Sequence, residues 1–438
     1  MVQDNNRRMK DSGIPWIGMI PSDWEVCFTK QLMRNKSIKG FPDEQVLSLY
    51  RDYGVVPKNS RDDNHNVTSE DTATYKLVEV GDFVINKMKA WQGSMAISAY
   101  RGIISPAYYI CRFTNESVNR RYIHYLLRNE TYKTEYRRLS TGLRVGQWDL
   151  NIDDFLHIPA ILPPLPTQQR IADFLDRKCV EIDELAALQE TMIAELKRYK
   201  QSVITEAVTK GLDPDVPMKD SGVKWIGEIP EGWEVIPFKQ MYGLGKGLSI
   251  TKADLVEEGV PVISYGQIHS KSNTGTAIKD ELIRYVPTSY LENNQDALVK
   301  VGDIIFADTS EDLEGCGNCI YIDKDMTLFA GYHTIIASNR TDTATRYLSY
   351  LFKTDCWRIQ IRAVVNGVKL FSIPQRTLAA TSIITPPLAE QRAIADYLDR
   401  KCTEIDELVA IKQQKIEALK EYKKSVIFEY VTGKKEII

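Results

Sequence analysis

Two stretches of the chain carry apolar residues at alternating spacings of three and four positions, which predicts helices that pack along one face. The first follows Pro163–Pro164 and the second follows Pro386–Pro387, and each continues in good helix formers without an internal glycine. About 40 residues at 1.5 Å each give a rod of roughly 60 Å. A helix this long with two different faces needs a partner along its length, and the nearest candidate is the other helix.

We call the apolar positions of these two stripes the predicted seam. They are Ile171, Leu175, Ile182, Leu185, Met192, Leu196, Tyr199 and Val203 in the first helix, and Ile394, Leu398, Ile405, Leu408, Leu419, Tyr422 and Val426 in the second. Polar residues interrupt both stripes, and such interruptions can fix the pairing and register of a coiled coil. For the helices alone, a purely structural coiled coil is an equally good interpretation.

The two helical stretches are copies of each other. Residues 163–209 align without a gap on residues 386–432, with 29 of 47 positions identical at an offset of 223. A Trp-rich segment is also repeated, since residues 9–26 match residues 218–235 at 13 of 18 positions. The chain therefore consists of two tandem halves, each with a Trp-rich segment, a variable body and a long helix.

The variable bodies, residues 27–162 and 236–385, predict short strands separated by Gly, Asn and Asp turns. Both contain a Val-Gly-Asp turn, at Val80–Asp82 and Val301–Asp303, and both end in a helical segment rich in Lys and Arg. The Trp-rich segments read as structural plugs between body and helix. The predicted fold class is α+β.

Length and composition indicate an intracellular protein of two or three domains. The chain has 438 residues, of which 43% are hydrophobic and 26% charged. No run of 18 apolar residues predicts a membrane span, and the seven scattered cysteines suggest reduced thiols in the cytoplasm. We therefore expect cytoplasmic localisation and no membrane partner.

The sequence lacks the usual motifs of a catalytic chain. It contains no GxxxxGK[ST] phosphate loop, no Asn-Pro-Pro-Tyr or Asp-Pro-Pro-Tyr methyltransferase motif and no paired histidines with metal-ligand spacing. Cys316 and Cys319 form a single CxxC without a second pair, which is a weak zinc signal. No catalytic residue, metal site or cofactor is predicted in this chain.

Charge is unevenly distributed despite a net charge of −3. Residues 27–150 contain 19 Lys and Arg against 13 Asp and Glu, whereas residues 236–372 contain 14 against 16. Five basic positions recur in the helical segments of both bodies: Arg121 and Arg346, Arg128 and Lys353, Lys133 and Arg358, Arg137 and Arg362, Arg144 and Lys369. Retention of charge while Lys and Arg interchange favours phosphate contacts, although a solvated helix face would give a similar pattern.

A second candidate for DNA contact lies in the first body, at Lys87, Lys89, Trp91 and Gln92. Lys and Gln side chains can recognise base edges in a major groove, and Trp can stack. Ordinary packing of a hairpin explains the segment equally well.

These motifs together resemble the specificity subunit of type I restriction-modification systems. The resemblance rests on the repeated PPLxxQ helices with their LDRK segments, the WIGxIPxxWEV segments, SPAYYI at Ser105–Ile110 and the two variable bodies, and it covers nearly the whole chain. It implies two target recognition domains, residues 1–162 and 218–385, each reading one half of a bipartite double-stranded DNA site. Residues 163–217 and 386–438 would be conserved helical regions, packed antiparallel as a coiled coil between the domains in a pseudo-twofold repeat.

The resemblance also implies partners. The helices would serve as a spacer and would hold two modification subunits that bind S-adenosylmethionine, and restriction subunits that use ATP and Mg would join this core. Two alternatives remain open: a coiled-coil adaptor without a DNA role, and a fused restriction or modification enzyme with unrecognised catalytic residues.

Overall fold

A computed structural model describes residues 7–60, 72–142, 148–341, 343–367 and 369–437. The chain divides into two compact units. Unit 1 comprises Met1–Glu190 together with Gln413–Ile438, and unit 2 comprises Thr191–Lys412. Each unit therefore combines one variable body with part of both long helices.

Unit 1 is built around an antiparallel sheet. The strands of this unit are β1 (Met9–Asp11), β2 (Met19–Pro21), β3 (Glu25–Phe28), β4 (Met33–Lys36), β5 (Leu47–Tyr50), β6 (Gly54–Pro57), β7 (Lys76–Val78), β8 (Phe83–Asn86), β9 (Met95–Ile97), β10 (Gly102–Ile104), β11 (Tyr108–Phe113) and β12 (Pro159–Leu162). The central sheet has the strand order β4-β11-β8-β9. Phe83, Val84 and Ile85 in β8 are all fully buried, as expected for a strand covered on both faces. β12 pairs with β3 and so ties the end of the body to the Trp-rich segment.

The basic helical segment of body 1 forms α1 (Arg120–Arg128) and α2 (Glu130–Leu139), followed by α3 (Ile152–Leu156). Asn129 separates α1 from α2 because its extended backbone ends α1, while its side chain accepts hydrogen bonds from the N–H groups of Thr131 and Tyr132. It is thus the C-cap of one helix and the N-cap of the next. A 3-10 turn, Ala90–Gln92, precedes β9.

The long helices are α4 (Leu165–Lys210) and α11 (Leu388–Val431). In unit 1, Lys423 Nζ lies 2.7 Å from Asp183 Oδ2, and the Phe174 and Tyr430 rings are 4.4 Å apart. Residue numbers rise along α4 as they fall along α11, so the helices run antiparallel.

Unit 2 repeats this arrangement. Its strands are β13 (Met218–Asp220), β14 (Glu228–Pro230), β15 (Glu234–Pro237), β16 (Tyr242–Lys246), β17 (Val260–Ile263), β18 (Arg284–Val286), β19 (Leu298–Val299), β20 (Ile304–Ala307), β21 (Thr309–Ser310), β22 (Cys319–Tyr321), β23 (Leu328–Ala330), β24 (Thr334–Asn339), β25 (Phe371–Ser372) and β26 (Ser382–Thr385). The sheet order β16-β24-β20-β22 matches that of body 1, and β15 pairs with β26 as β3 pairs with β12.

The helices of body 2 are short and include the pair that corresponds to α1 and α2. They are α5 (Phe238–Met241), α6 (Tyr265–Ile268), α7 (Tyr290–Asn293), α8 (Thr345–Leu351), α9 (Asp355–Arg362) and α10 (Gln375–Ala379). In this unit Lys200 Nζ lies 2.6 Å from Asp406 Oδ2 and Lys412 Nζ lies 3.3 Å from Met192 Sδ, so α4 and α11 are again antiparallel. The α+β class, the repeat and the paired long helices are therefore confirmed.

One large apolar core in each unit joins the Trp-rich segment, the body and the helices. Trp24 is 1% exposed among residues that include Ile171 and Val431, and Trp233 is 1% exposed in the equivalent core of unit 2. A buried Trp contributes more apolar contact area than most residues, which explains why the Trp-rich segments recur.

The predicted seam divides into buried and exposed positions. Exposed fractions are 47% for Leu185, 37% for Met192, 52% for Tyr199, 47% for Leu408 and 49% for Tyr422. Leu196 and Leu419 are intermediate, whereas Ile171, Leu175, Ile182, Val203, Ile394, Leu398, Ile405 and Val426 are buried. Ile193 and Ile416, which lie outside the predicted seam, are buried instead. Four residues after Gln189 and Lys412, Ile193 and Ile416 are buried, and four residues after Ile182 and Ile405, Ala186 and Val409 are half-buried. The positions three residues after are exposed.

Candidate nucleic-acid interface and helix anchors

The first of the recurrent basic residues, Arg121, points at a long helix of its own unit. Its Nη2 donates to Asp173 Oδ1 at 2.6 Å, and its Nη1 pairs with Asp176. The hydroxyl of Tyr125 donates to Asp176 Oδ1 at 2.8 Å. The two hydrogen bonds that Arg121 itself donates, first the one to Asp173 and then the one to Asp176, raise the pKa of its guanidinium above its usual value. We call this group the helix anchor of unit 1.

Unit 2 has the same anchor at equivalent positions. Arg346 Nη2 donates to Asp399 Oδ1 at 2.7 Å, and the hydroxyl of Tyr350 donates to the same oxygen at 2.6 Å. Asp399 follows Asp176 at the repeat offset of 223. Each body is thus attached to the start of a long helix by an Arg, a Tyr and an Asp.

Two further repeated contacts complete the attachment. Tyr122 Oη donates to the carbonyls of Ile161 and Val431, and Tyr347 Oη donates to those of Ile384 and Val208. In addition, the buried side chains of Gln168 and Gln391 accept from the N–H groups of Asn119 and Ala344. Buried polar groups with fixed partners specify one geometry, so body and helix have one way to fit.

Most of the other recurrent basic residues in unit 2 also contact protein atoms. Arg358 donates to Phe352 O at 2.8 Å and to Asn318 Oδ1 at 2.7 Å. Arg362 contacts Asp355 Oδ1 and Glu314 O, each at 2.8 Å. Burial lowers the pKa of the Lys353 ammonium to about 8. Lys369 is exposed.

In unit 1, Arg128 Nη2 donates to the carbonyl of Arg51, and its Nη1 lies 3.1 Å from His124 Nε2. Lys133 and Arg137 lie on α2, where Lys133 Nζ donates to Glu130 Oε1 of the same helix at 2.8 Å and Arg137 is exposed. Arg144 lies outside the described residues.

Lys133 and Arg137 meet the second predicted group on one surface. The Arg137 guanidinium lies 5.8 Å from the Trp148 ring centroid, and the Trp91 and Trp148 rings are 5.6 Å apart. A Cβ at Gly93, where φ is +76°, would collide with the Lys133 side chain, so α2 and the turn that ends at Gly93 are in close contact.

Three other residues of this surface have known surroundings. Lys87 Nζ is 3.1 Å from Asp149 Oδ2, Trp91 Nε1 donates to Met88 O, and Lys89 is exposed without an ion-pair partner among the described residues. We call this surface the basic face; its members are Lys87, Lys89, Trp91, Gln92, Lys133 and Arg137. It combines four cations with the half-buried indole ring of Trp91 and its neighbour Trp148, which suits contact with a phosphate backbone and bases.

The corresponding surface of body 2 has a different charge. A turn containing Glu311, Asp312 and Glu314 leads to Gly317, and a Cβ there would lie 3.2 Å from Arg358 Cγ in α9. The cations of α9 are therefore turned toward this turn, and body 2 lacks a counterpart of the basic face in its described residues.

Sequence reasoning missed an aromatic cluster in body 2. Tyr265 lies 5.4 Å from the Tyr332 ring and 5.5 Å from His333, whose Nδ1 is 3.2 Å from Asp308 Oδ1. His333 has φ = +53°, a conformation that costs a non-glycine residue about 1 kcal/mol. The only sequence signal was Gly-Tyr-His before β24, where body 1 has Ser-Pro-Ala before β11.

The described residues contain no group of three or more His, Cys, Asp or Glu placed to hold a metal ion. Cys316 and Cys319 are buried, and burial raises the pKa of the Cys319 thiol to about 11. Within the same residues, every helix is too short or too polar to cross a membrane.

The chain matches a known family over most of its length. The family profile described as "Type I restriction modification DNA specificity domain" covers residues 21–198 and 230–421. The chain belongs to this specificity family. It is a DNA sequence-recognition subunit and not an enzyme, and it acts in assembly with DNA and other subunits of a restriction-modification system.

Relatives of this specificity subunit span nearly its full length. The type I restriction enzyme MjaVIII specificity subunit of Methanocaldococcus jannaschii is 25% identical over 434 residues, which is 95% of this chain and 93% of the relative. The EcoKI specificity subunit of Escherichia coli K12 is 24% identical over 361 residues, 80% of this chain and 71% of the relative.

Solved structures share the fold. A chain from a study of complex assembly and conformational transition in the type I R-M system has a TM-score of 0.70 at 14% identity, with 94% of this chain and 98% of that chain covered. The HsdS subunit from Thermoanaerobacter tengcongensis has a TM-score of 0.54 at 14% identity and the same coverage.

Proposed function

We propose that residues 1–162 and 218–385 are two target recognition domains, each reading one half of a bipartite DNA site. We further propose that the two long helices serve as spacer and as docking platform for two modification subunits, which restriction subunits can join. The observation that carries the docking proposal is a set of apolar residues that each unit leaves exposed at equivalent positions of its helices.

These exposed residues repeat with the offset of 223. Leu185 (47% exposed), Leu188 (49%) and Tyr422 (49%) belong to unit 1. Their equivalents Leu408 (47%), Ile411 (59%) and Tyr199 (52%) belong to unit 2. In each unit, two of the three residues belong to the long helix that begins in that unit, and the third belongs to the long helix that ends in it. We call each set of three an apolar trio.

Two trios at equivalent positions, which differ only in Leu188 against Ile411, suit two copies of one partner. Clusters of large apolar side chains left exposed on a folded protein mark interaction sites, because covering them with a partner removes apolar surface from water. A partner that covers one trio can cover the other with the same residues. A coiled coil without partners would have no use for apolar residues kept on its outer side in both copies.

The stoichiometry of the complex tests this proposal. The double variant Leu185→Glu/Leu188→Glu changes only unit 1, and Leu408→Glu/Ile411→Glu changes only unit 2. Each should reduce the complex formed with co-expressed modification subunits from two such subunits to one, as read from its mass by native mass spectrometry. Combining all four substitutions should leave the chain unbound.

Val256→Glu is the matched control, because Val256 is a comparably exposed apolar residue (40%) that lies in body 2. It should leave two modification subunits bound. Retention of both subunits by the quadruple variant would contradict docking through the trios.

For the DNA side, we propose that the basic face of body 1 contacts phosphates through Lys87, Lys89, Lys133 and Arg137, with Trp91 and Gln92 next to the bases. Its cations lie on two adjacent elements, and Lys89 has no described ion-pair partner. The recurrent residues Arg128, Lys353, Arg358, Arg362 and Lys369, together with Arg144, remain proposed as weaker candidates for phosphate contact. For Arg121 and Arg346 we infer that they attach the bodies to the long helices instead.

Two neighbouring arginines of α2 provide the test. Arg137→Ala should weaken binding of the assembled complex to DNA of any sequence and should lower the slope of log affinity against log salt by about one. Arg138→Ala is the control, since Glu135 already accepts two hydrogen bonds from Arg138 at 2.6 and 2.9 Å. Equal loss of slope in both variants would rule out a specific role for Arg137.

A further inference from the structure

The two Trp-rich segments bury equivalent indoles in different polar surroundings. In unit 2, Trp233 Nε1 donates a hydrogen bond of 3.0 Å to Glu390 Oε2, in the first turn of α11. A buried indole N–H is a donor only, and without an acceptor of this kind it loses the hydrogen bond that water gives it in the unfolded chain.

In unit 1 this acceptor is missing. Thr167 occupies the position of Glu390 in the repeat, and Trp24 Nε1 is buried without a hydrogen-bond partner among the described residues. Trp24 lines a cavity of about 20 Å³ together with Arg7, Thr167, Arg170, Lys435, Glu436 and two isoleucines. A cavity needs roughly 10–15 Å³ to hold one water-sized particle, so there is room for one.

The charges around this cavity differ from those around Glu390. Three cations, Arg7, Arg170 and Lys435, line it with a single carboxylate, that of Glu436. Arg7 is 3.3 Å from Asp23 and Lys435 is 2.7 Å from Glu429, whereas Arg170 has no ion-pair partner in the described part of the chain.

The second half of the chain has Ala393 at the position equivalent to Arg170. The arginine of the second half, Arg392, stands one position earlier, so the two halves differ here in the placement of an arginine and not in the number of arginines. Loss of the built-in negative charge, with three cations lining the cavity at its place, favours an external anion.

We propose that this cavity binds one monatomic anion of about the size of chloride. The anion accepts the hydrogen bond of Trp24 Nε1 and takes the place that the Glu390 carboxylate has beside Trp233. Trp and Arg side chains donate hydrogen bonds and accept none. A bound anion only accepts, so it suits these donors better than water, whose own two hydrogens would need acceptors.

Nuclear magnetic resonance of the full-length chain with ¹⁵N-labelled tryptophan tests the proposal directly. The Trp24 indole signal, assigned with Trp24→Phe, is followed while chloride or bromide replaces gluconate at constant ionic strength. We expect a saturable shift of the Trp24 signal and none of the Trp233 signal. No saturable shift at Trp24 would overturn the proposal and leave the cavity to water.

Substitutions at the cavity separate the effect of the missing acceptor from the effect of the surrounding charges. Thr167→Glu supplies the acceptor and should abolish the halide response. Arg170→Ala should weaken the apparent halide affinity about fivefold, the effect of removing one partly exposed charge interaction. Glu436→Gln should strengthen it, because a competing negative charge is removed; a weaker response would mean that Glu436 helps to hold the site in its bound form and would overturn its assignment as a competitor.

Glu390→Thr is the matched control in unit 2. It leaves Trp233 without its acceptor but supplies no counterpart of Arg170, so the Trp233 signal should stay insensitive to halide. A response there equal to that of Trp24 would overturn the role given to the cations. In crystals soaked in bromide, an anomalous peak within hydrogen-bond distance of Trp24 Nε1 is expected in the unmodified chain and should be absent from Thr167→Glu.

Discussion

Arg121 and Arg346 occupy equivalent positions in the two halves, and their guanidinium groups end at aspartates of the long helices. Attachment of body to helix accounts for retention of positive charge there without any DNA. Phosphate contact and ion pairing require the same residue type at the same place, which is why the sequence pattern alone did not separate them.

We therefore predict that Arg346→Ala lowers the free energy of unfolding of unit 2 by about 1 kcal/mol, since it removes a partly buried ion pair. The slope of DNA affinity against salt should stay unchanged in the assembled complex. Urea denaturation and salt-dependent binding measure the two effects. A lower salt slope at unchanged stability would return Arg346 to the group of phosphate contacts.

His124 gives a prediction about pH. Burial, together with the neighbouring Arg128, lowers the pKa of its imidazole from 6.5 to about 3. The neutral ring is therefore favoured in the folded state, and the unfolded chain binds more protons between these two values. Stability should be fully present above pH 6.5 and should decline as the pH falls toward 3.

The measurement is urea denaturation of the chain at pH 7 and pH 5. At pH 5 the contribution of His124 should have fallen by roughly 1–2 kcal/mol. His124→Gln removes the titrating group and should reduce the loss between the two pH values by that amount. An unchanged pH dependence in this variant would contradict burial of a neutral imidazole.

At the scale of elements, the repeat made the architecture predictable. Two copies of each long helix and Trp-rich segment identified the tandem halves, and the strands around Val80–Asp82 and Val301–Asp303 formed as predicted. The break between α1 and α2 at Asn129 was not predicted, because Asn is compatible with a helix interior until its side chain caps the following helix.

The apolar pattern of the sequence also did not determine which side of each long helix packs against the other helix. From Ile182, an apolar stripe can continue through Leu185 and Met192 or through Ala186 and Ile193. Both are compatible with coiled-coil spacing, and the first has the larger side chains. The pair of helices buries Ile193 and half-buries Ala186, which leaves the larger residues of the first stripe available to a partner.

Adjacent residues of α4 test this assignment. Ile193 is 8% exposed and Met192 is 37% exposed. Ile193→Ala should lower the free energy of unfolding by about 2 kcal/mol, because it leaves a cavity between the paired helices. Met192→Ala should change it by less than about 0.5 kcal/mol. A larger loss from Met192→Ala than from Ile193→Ala would mean that the predicted seam is the packed one.

The groups of side chains that meet on the surface of each body could not be predicted residue by residue. The aromatic cluster of body 2 is assembled from α6 and from the turn before β24, which are distant in sequence, and only the folded sheet brings Tyr265 to His333. The basic face of body 1 likewise required contact between α2 and the turn at Gly93. The sequence contains these residues but does not show which of them lie next to one another in the folded chain.

At the scale of the whole molecule, each body is attached to the helices by the same contacts, so the bodies should be exchangeable. The exchange should include both strands of each closing pair, β3 with β12 and β15 with β26, because a cut at Cys27 would divide β3. Residues 25–162 and 234–385 meet this condition. Both segments carry their own Arg and Tyr of the helix anchor.

We predict that a chain in which residues 234–385 replace residues 25–162 still folds and still assembles with modification subunits. Both recognition domains would then be identical, so the methylated DNA motif should contain the half-site of body 2 twice and should lose that of body 1. Sequencing of methylated adenines in cells that express this chain with its modification subunits reads the motif directly. The reciprocal exchange, with residues 25–162 in both places, is the matched control and should give the other half-site twice. A motif that keeps both original halves, or that changes in the half read by the unaltered domain, would contradict independent reading by the two bodies.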